Sequence, residues 1–304
     1  LMASAKYLIT DTSFLPFFIK KEGQKILNTW HGTPLKCLGK SVKEDYYNIG
    51  NVQKNFIIAD YLLYPNEYTK EHLINDYMLE NICKANIILT GYPRNTAFFD
   101  KNSEKEIRKE LKLDDKEIIV YMPTWRESHD ENDGERKSIY LAHNILQIEK
   151  RLKDNQVLYV NLHPLEQKNI NFDIFEKVRK FPEQYETYQF LNIADCLITD
   201  YSSVFFDFAI TRKKVILFCY DKEEYLKERG LYFDYNDLPF TKVENVDELI
   251  KALNNDKQYN ESEFINQFCK YDSNDVTKKI CSKFILGQNS DLVIENIKDN
   301  KKDK

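Results

Sequence analysis

The sequence predicts an α/β fold in which two Rossmann-type domains each carry a parallel sheet. Short apolar runs that suit buried strands alternate with longer segments that suit helices. This alternation of strands and helices is interrupted by a highly charged stretch near 100–116 and then resumes. A chain of 304 residues is long enough for two domains. We therefore expect an N-terminal domain at 1–97, a C-terminal domain at 98–285 and a polar tail at 286–304.

Four short apolar runs predict the strands of the first domain. These runs are Lys6–Thr10, Lys25–Thr29, Tyr61–Tyr64 and Ile87–Thr90. Helices are expected at 43–59 and 67–79, so that crossovers join the strands as in a parallel sheet. Such a sheet normally has one or two strands before this point, so we expect the chain to be a piece of a longer protein.

The same pattern restarts in the second domain. Its strands are predicted at Glu117–Tyr121, Val157–Leu162, 194–198 and Val215–Phe218. Its helices are predicted at 141–152, 188–194, 223–229, 246–254 and 261–268. The strands of both domains are mostly apolar throughout, which is typical of sheets covered on both faces.

Composition and charge argue against several classes of protein. The net charge of −5 gives no support to nucleic-acid binding, and no apolar run is long enough to cross a bilayer. The six cysteines include no C-x-x-C pair, as expected of reduced core residues in a cytoplasmic protein. The chain also lacks a G-x-G-x-x-G sequence and a D-x-D pair, and the missing D-x-D pair weakens the case for a metal-chelated nucleotide.

Most of the notable polar side chains follow the carboxyl end of a predicted strand. Ligands of open α/β sheets bind at this edge, so we expect these side chains to form one site between the two sheets. They are His31, Arg94, Arg126, His163, Asp200, Ser202, Ser203 and Asp221.

The stretch 197–208 predicts a phosphate site. It is a short buried strand, a polar turn and the first turns of a helix, with Ser202 or Ser203 as the N-cap. A helix start presents free N–H groups and partial positive charge, which suits the phosphates of an activated donor. The alternative interpretation is an ordinary capped helix after a strand.

His31 lies in a loop that also suits a ligand. Gly32 follows it, and Thr33 with Pro34 predicts the N-terminus of another helix. The alternative is a histidine that merely packs beside Trp30.

Five motifs in this order resemble those of the CDP-glycerol glycerophosphotransferases, which make teichoic-acid and related capsular polymers. The motifs are N-T-W-H-G-T-P-L-K at 28–36, G-Y-P-R-N at 91–95, M-P-T-W-R at 122–126, H-P at 163–164 and T-D-Y-S-S-V-F-F-D at 199–207. The resemblance spans about 3–285. It implies a GT-B-like fold with two domains facing a cleft, transfer of a polyol phosphate from a CDP-activated donor with release of CMP, and work at the inner face of the membrane. It implies no cofactor and no essential metal.

We expect His31 to be the general base for the acceptor hydroxyl, because imidazole titrates near neutral pH. His163, Arg126, Ser202 and Ser203 are expected to stabilise charge on the phosphates. The remaining candidates are Thr199 and Asp200 for the donor, and Gly32, Thr33, Arg94 and Asp221 for contacts to acceptor or donor. Because a carboxylate does not suit an unpaired place against phosphate, Asp200 is expected to orient a histidine or arginine, or to bind a donor hydroxyl.

Two other functions are compatible with this sequence. One is a GT-B glycosyltransferase that uses a CMP- or UDP-sugar, and the other is a catalytically silent domain that binds the polymer. The choice between CDP-glycerol and CDP-ribitol is also left open, with CDP-glycerol preferred.

Overall fold

The computed structural model describes residues 2–42, 46–126, 131–223, 225, 230–255 and 261–297. The strands are β1 (Tyr7–Thr10), β2 (Lys25–Asn28), β3 (Tyr61–Tyr64), β4 (Asn86–Leu89), β5 (Glu117–Met122), β6 (Gln156–Val160), β7 (Val178–Lys180), β8 (Cys196–Thr199), β9 (Lys214–Phe218), β10 (Thr241–Val243) and β11 (Val293–Asn296). The helices are α1 (Tyr46–Ile58), α2 (Glu67–Asp76), α3 (Lys101–Glu110), α4 (Glu131–Glu149), α5 (Pro164–Gln167), α6 (Thr187–Ile193), α7 (Val204–Phe208), α8 (Val246–Leu253), α9 (Ser262–Phe268) and α10 (Val276–Phe284).

The first compact unit combines Leu1–Phe99, Arg229–Tyr235 and Ser262–Lys304. Its sheet has the order β1-β2-β3-β4-β11, in which β11 alone runs antiparallel, against β4. Successive strand residues point to opposite faces, so Leu62 joins a core with α1 and α2 while Leu63 joins a core with α10. Both leucines are fully buried, which explains why the strand sequence is continuously apolar.

The second unit combines Asp100–Glu228 and Asn236–Glu261. Its sheet is entirely parallel, with the order β10-β9-β8-β5-β6-β7. Numbered from β5 within the unit, this is the Rossmann order 3-2-1-4-5-6. The strand order reverses between β5 and β8, so the residues that follow these two strands lie at the topological switch point. The prediction of an α/β fold with two parallel sheets is confirmed, with β11 as an antiparallel addition to the first sheet.

The end of the chain differs from the prediction. The chain divides after Phe99, but 262–285, which were predicted to belong to the C-terminal domain, lie in the first unit. Val276, Ile280 and Phe284 form one apolar face of α10 and cover the first sheet. This spacing predicts a helix with one buried face but does not show which sheet the face covers. The expected polar tail also contains a strand, β11.

No helix among the described ranges combines the length and apolarity that a bilayer span requires.

Candidate active-site residues

The turn after β2 separates a buried tryptophan from an exposed histidine. Trp30 adopts a left-handed backbone conformation (φ 55°), and its N–H donates to Asn28 Oδ1 at 2.9 Å. Its ring is buried against Phe56 and Tyr77. The next residue, His31, therefore emerges at the surface with its ring 4.1 Å from the Trp30 ring, centroid to centroid. Left-handed backbone is uncommon outside glycine, so the packing of the Trp30 ring and the bond to Asn28 must hold this residue in place.

The hydrogen bond of His31 fixes its neutral tautomer. Nδ1 lies 3.1 Å from the backbone carbonyl oxygen of Asp11, which can only accept, so Nδ1 carries the proton and Nε2 keeps a lone pair. Although one edge of the ring is exposed, desolvation by the surrounding protein lowers its pKa. The nearby charge of Arg94 adds to this effect, and the Asp11 contact opposes it. Neutral His31 can thus accept a proton at Nε2.

Arg94 lies beside His31. Its Nη1 donates to the His31 backbone oxygen at 3.0 Å, and its guanidinium lies 4.4 Å from the centre of the Tyr92 ring. The structure therefore brings together two of the residues that the sequence selected in the first unit. The arginine also contributes positive charge next to the imidazole.

Thr33 is buried and has a packing role. Its Oγ1 accepts a hydrogen bond of 3.2 Å from the side-chain amide of Asn66, the N-cap of α2. No helix begins at Thr33, because Lys36 instead pairs with Leu231 in an antiparallel bridge. The expected helix start is therefore wrong: tertiary pairing outweighs the local capping signal. Gly32 is buried next to it.

In the second unit, Arg126 forms ion pairs with two carboxylates at the carboxyl ends of neighbouring strands. Its Nη2 donates to Asp200 at 2.9 Å, and its Nε donates to Asp221 at 2.6 Å. Burial opposes the charge of the guanidinium, but Asp200 and Asp221 outweigh that effect and raise the pKa of Arg126. Nη1 donates to the Thr124 carbonyl at 2.6 Å. The arginine expected to bind phosphate is thus largely engaged by protein.

Asp200 connects the loops that follow β5 and β8. The carboxylate is fully buried, and its Oδ1 accepts from the N–H groups of Thr124 at 2.8 Å and Tyr201 at 2.6 Å. Thr199 is buried as well and donates to the Met122 carbonyl at 2.7 Å. Both residues therefore stabilise the loops at the switch point. Asp200 orients an arginine, which is one of the two roles expected of it, whereas the hydroxyl of Thr199, which was expected to contact the donor, is bonded to the backbone.

Ser202 and Ser203 remain as candidate phosphate ligands. Both are half-buried at the start of α7, where Ser203 is the N-cap without a side-chain capping bond. Ser202 Oγ accepts a long bond of 3.4 Å from the Val204 N–H. Their hydroxyls and the first amides of the helix can meet an anion.

His163 has the opposite neutral tautomer to His31. It caps α5, and its Nδ1 accepts from the Leu165 N–H at 3.3 Å, so neutral His163 carries its proton on Nε2. Its ring stacks on Trp125 with the centroids 4.5 Å apart and 19° between the planes. Exposed His163 can therefore donate from Nε2 to an anionic oxygen.

The structure adds two residues that the sequence-based assignment missed. Trp125 was visible within M-P-T-W-R, but its stack on His163 requires the pairing of β5 with β6. Glu166 follows the H-P motif, and burial raises its pKa more than nearby Arg126 lowers it. Its Oε2 is buried and makes no hydrogen bond to the described part of the protein. Across the same ranges, no three His, Cys, Asp or Glu side chains form a group suited to a metal ion.

Two Rossmann-type units with polar residues at the carboxyl ends of their strands define a GT-B-like protein. Residues 1–286 match the family described as CDP-Glycerol:Poly(glycerophosphate) glycerophosphotransferase, and the chain belongs to this family of transferases. A teichoic acid poly(glycerol phosphate) polymerase of Bacillus spizizenii is 32% identical over 306 residues, which cover 93% of this chain and 75% of that protein.

The structure is similar to that of the wall teichoic acid polymerase TagF. The two share 28% sequence identity with a TM-score of 0.81, and the match covers 99% of this chain and 75% of TagF. A variant of TagF soaked with CDPG for 15 minutes matches with 28% identity and a TM-score of 0.79, covering 94% of this chain and 74% of that one. The resemblance inferred from the five motifs is confirmed.

Proposed function

We propose that the chain transfers glycerol phosphate from CDP-glycerol to the hydroxyl end of a teichoic-acid-like or capsular polymer and releases CMP. The observation that carries this proposal is the family match over 1–286. A relative named as a poly(glycerol phosphate) polymerase and a TagF variant soaked with CDPG support glycerol as the polyol.

In the proposed reaction, the acceptor hydroxyl oxygen attacks the phosphorus that bears the glycerol. A new P–O bond forms, the bond from that phosphorus to the CMP oxygen breaks, and CMP leaves with the bonding electrons. His31 takes the hydroxyl proton on Nε2. This assignment is supported by the Asp11 carbonyl, which keeps the proton of the neutral ring on Nδ1, and by the lowered pKa, which keeps the ring neutral at pH 7.

The negative charge that builds up on the phosphate oxygens requires hydrogen-bond donors. We assign this role to His163 Nε2–H and to the hydroxyls of Ser202 and Ser203, which lie near the start of α7. Arg126 and Asp200 are positioning residues, since their mutual ion pair and backbone contacts fix the loops after β5 and β8. Asp221 holds Arg126 from the other side. The proposal gives no step to a metal or a cofactor.

We propose that the reaction takes place at the inner face of the cell membrane and that the protein associates there peripherally, as the resemblance to the CDP-glycerol glycerophosphotransferases implies. A polymer attached to lipid is reached by an enzyme only at the membrane surface.

CMP release from CDP-glycerol and CDP-ribitol, with a teichoic-acid acceptor, tests the function. We expect release with CDP-glycerol, and a loss on the order of 10²-fold or more in His31→Ala. His143→Ala is the matched control, because His143 is exposed on α4. Near-normal turnover in His31→Ala would refute the assignment of His31 as the general base. A new glycosidic bond in the product, in place of a phosphodiester, would refute the transfer of glycerol phosphate.

A further inference from the structure

The side chain of Asn28 connects the turn after β1 to the turn after β2. Asn28 is the last residue of β2 and is 2% exposed. Its Oδ1 accepts from the Trp30 N–H at 2.9 Å, and its Nδ2 donates to the Thr12 carbonyl at 3.3 Å. An amide side chain carries both a donor and an acceptor, so this one buried group fixes the two turns relative to each other.

The turn after β1 is also stabilised by hydrogen bonds of its own. The Thr10 hydroxyl accepts from the Thr12 N–H at 3.2 Å and donates to the Thr12 carbonyl at 2.9 Å. The Thr10 carbonyl accepts from the Thr29 N–H at 2.8 Å, which continues the parallel pairing of β1 with β2. Asp11 lies between the two bonded threonines of this turn, so its backbone is fixed. Its carbonyl oxygen lies 3.1 Å from His31 Nδ1.

Charges of opposite sign act on the His31 ring. Desolvation lowers the pKa of His31, the carbonyl and the carboxylate of Asp11 raise it, and Arg94 lowers it. When Nε2 takes a proton, the ring becomes an imidazolium that carries an N–H on both nitrogens. The Asp11 carbonyl can still accept from Nδ1, and the negative charge of Asp11 opposes the positive charge of Arg94. Asp11 therefore favours the form of His31 that is produced by proton transfer.

We propose that Asp11 is a positioning residue of the transfer reaction: its carbonyl orients the imidazole, its carboxylate stabilises the imidazolium, and Asn28 holds Asp11 in register with His31. A general base is often oriented by a third group that also stabilises its protonated form. The proton passes from the acceptor hydroxyl to Nε2 and, after CMP has left, from Nε2 to solvent water. The inference rests on the proposed function, because His31 is the base of that reaction.

NMR titration of the histidines in the full chain, without substrate, tests the charge of Asp11, and comparison with His31→Asn identifies the His31 signal. Asp11→Asn removes the charge and leaves the carbonyl, so the midpoint of His31 should move to lower pH by roughly 0.2–0.7 unit. Above that midpoint, kcat for CMP release should fall about two- to fivefold, with an unchanged Kd for CDP-glycerol. Asp11→Glu should recover the midpoint and kcat. Glu22→Gln is the matched control, because it removes an exposed carboxylate from the same connection between β1 and β2.

The nitrogen chemical shifts of the imidazole show which nitrogen carries the proton, and they test the role of Asn28. Neutral His31 of the wild type should carry its proton on Nδ1. Asn28→Ala releases both turns, so we expect a mixture of the two tautomers and a kcat lower by about tenfold or more. Asn192→Ala is the matched control, because Asn192 is a buried amide of the second unit that donates to the Asp100 carbonyl. If Asn28→Ala does not fold, Asp11→Asn, at an exposed position, still tests the proposal.

Several results would overturn the positioning role. They are an Asp11→Asn variant with the wild-type midpoint or the wild-type kcat, a wild-type His31 with its proton on Nε2, and a folded Asn28→Ala variant with the wild-type tautomer and kcat. The midpoint and the tautomer are measured without substrate, so they do not depend on the reaction. A wild type with the expected midpoint and tautomer that releases no CMP contradicts the proposed reaction and leaves the orientation of the ring by Asp11 intact.

Discussion

The imidazole Nδ1 of His31 lies 3.1 Å from the backbone carbonyl oxygen of Asp11. This contact assigns the proton of the neutral ring to Nδ1 and leaves Nε2 as a hydrogen-bond acceptor. At His163 the Leu165 N–H points at Nδ1, so the proton lies on Nε2. Two histidines on separate units therefore present opposite groups, one suited to accept a proton and one suited to donate.

The pKa of His31 predicts how activity depends on pH. Burial, aided by Arg94, lowers this pKa from its ordinary 6.5, so kcat/KM for CMP release should rise with pH to a midpoint below 6.5 and then level off. His31→Asn keeps an N–H donor for Asp11 but should lose this rise, and His143→Ala should retain it. A rise that persists in His31→Asn would assign the titration to another group.

The same pKa has a consequence for stability. Because the folded pKa of His31 lies below the unfolded value, the folded state binds fewer protons than the unfolded state. The contribution of His31 to stability is therefore complete above the unfolded pKa and is lost as the pH falls through about 6.5 and below. In urea unfolding, the free energy of unfolding of the wild type should therefore fall more steeply than that of His31→Asn as the pH decreases below about 6.5.

Asp200→Asn should destabilise the second unit strongly. The substitution leaves Arg126 beside an amide at a fully buried position, although Asp221 remains. Removing one member of a buried pair costs about 3 kcal/mol or more. Urea unfolding monitors this loss, and Glu183→Gln, in the exposed pair with Lys180, is the control that should unfold like the wild type. Equal urea midpoints for Asp200→Asn and Glu183→Gln would show that the buried ion pair adds nothing to the stability of the second unit.

Trp125→Ala should slow turnover by roughly two- to tenfold, the range that the free energy of an aromatic pair allows. The substitution removes the ring that stacks on His163 and so leaves the imidazole less well oriented. Trp125→Phe retains a stacking surface and should recover most of the activity. CMP release measures both, and equal rates for the Ala variant and the wild type would argue against a positioning role.

Substitution of alanine for two glycines, Gly91 and Gly50, should change the stability of the protein in opposite directions. A Cβ at Gly91 would lie 2.7 Å from Asp272 Cα, so Gly91→Ala forces backbone apart and should cost about 1–3 kcal/mol. A Cβ at Gly50, in α1, would meet nothing within 4 Å, and Gly50→Ala should stabilise the helix by about 0.5–1 kcal/mol. Thermal unfolding distinguishes the two, and a stabilised Gly91→Ala would contradict the close contact.

The sequence predicts the parts of this fold that follow from local pattern. Apolar runs locate β5 and β8, and the polar residues after them are recognisable as candidates for a switch point. The partners of Arg126 are not predictable in this way, since Asp200 and Asp221 reach it only when β8 lies between β5 and β9. Strand order is a property of the tertiary structure. It places Arg126, which was expected to bind phosphate, between the carboxylates of Asp200 and Asp221.

Local signals also failed where long-range contacts compete with them. Thr33 followed by Pro34 is a good helix start by composition, yet the side chain of Asn66 and the bridge to Leu231 hold this segment in another conformation. Likewise, the short apolar run in β11 is recognised as a strand only in the presence of β4. These contacts join residues that are far apart in sequence, which periodicity does not report.

The placement of α10 on the first sheet has a consequence for synthesis. Residues 100–261 leave the ribosome before α10 and β11 exist, so every strand of the second sheet is available while the first sheet is incomplete. Leu27, Leu63 and Ile88 then have one face without the cover that α10 gives them in the finished fold. The first unit is therefore begun before the second unit is translated and completed after it, and Leu27, Leu63 and Ile88 lack the cover of α10 until Phe284 has emerged.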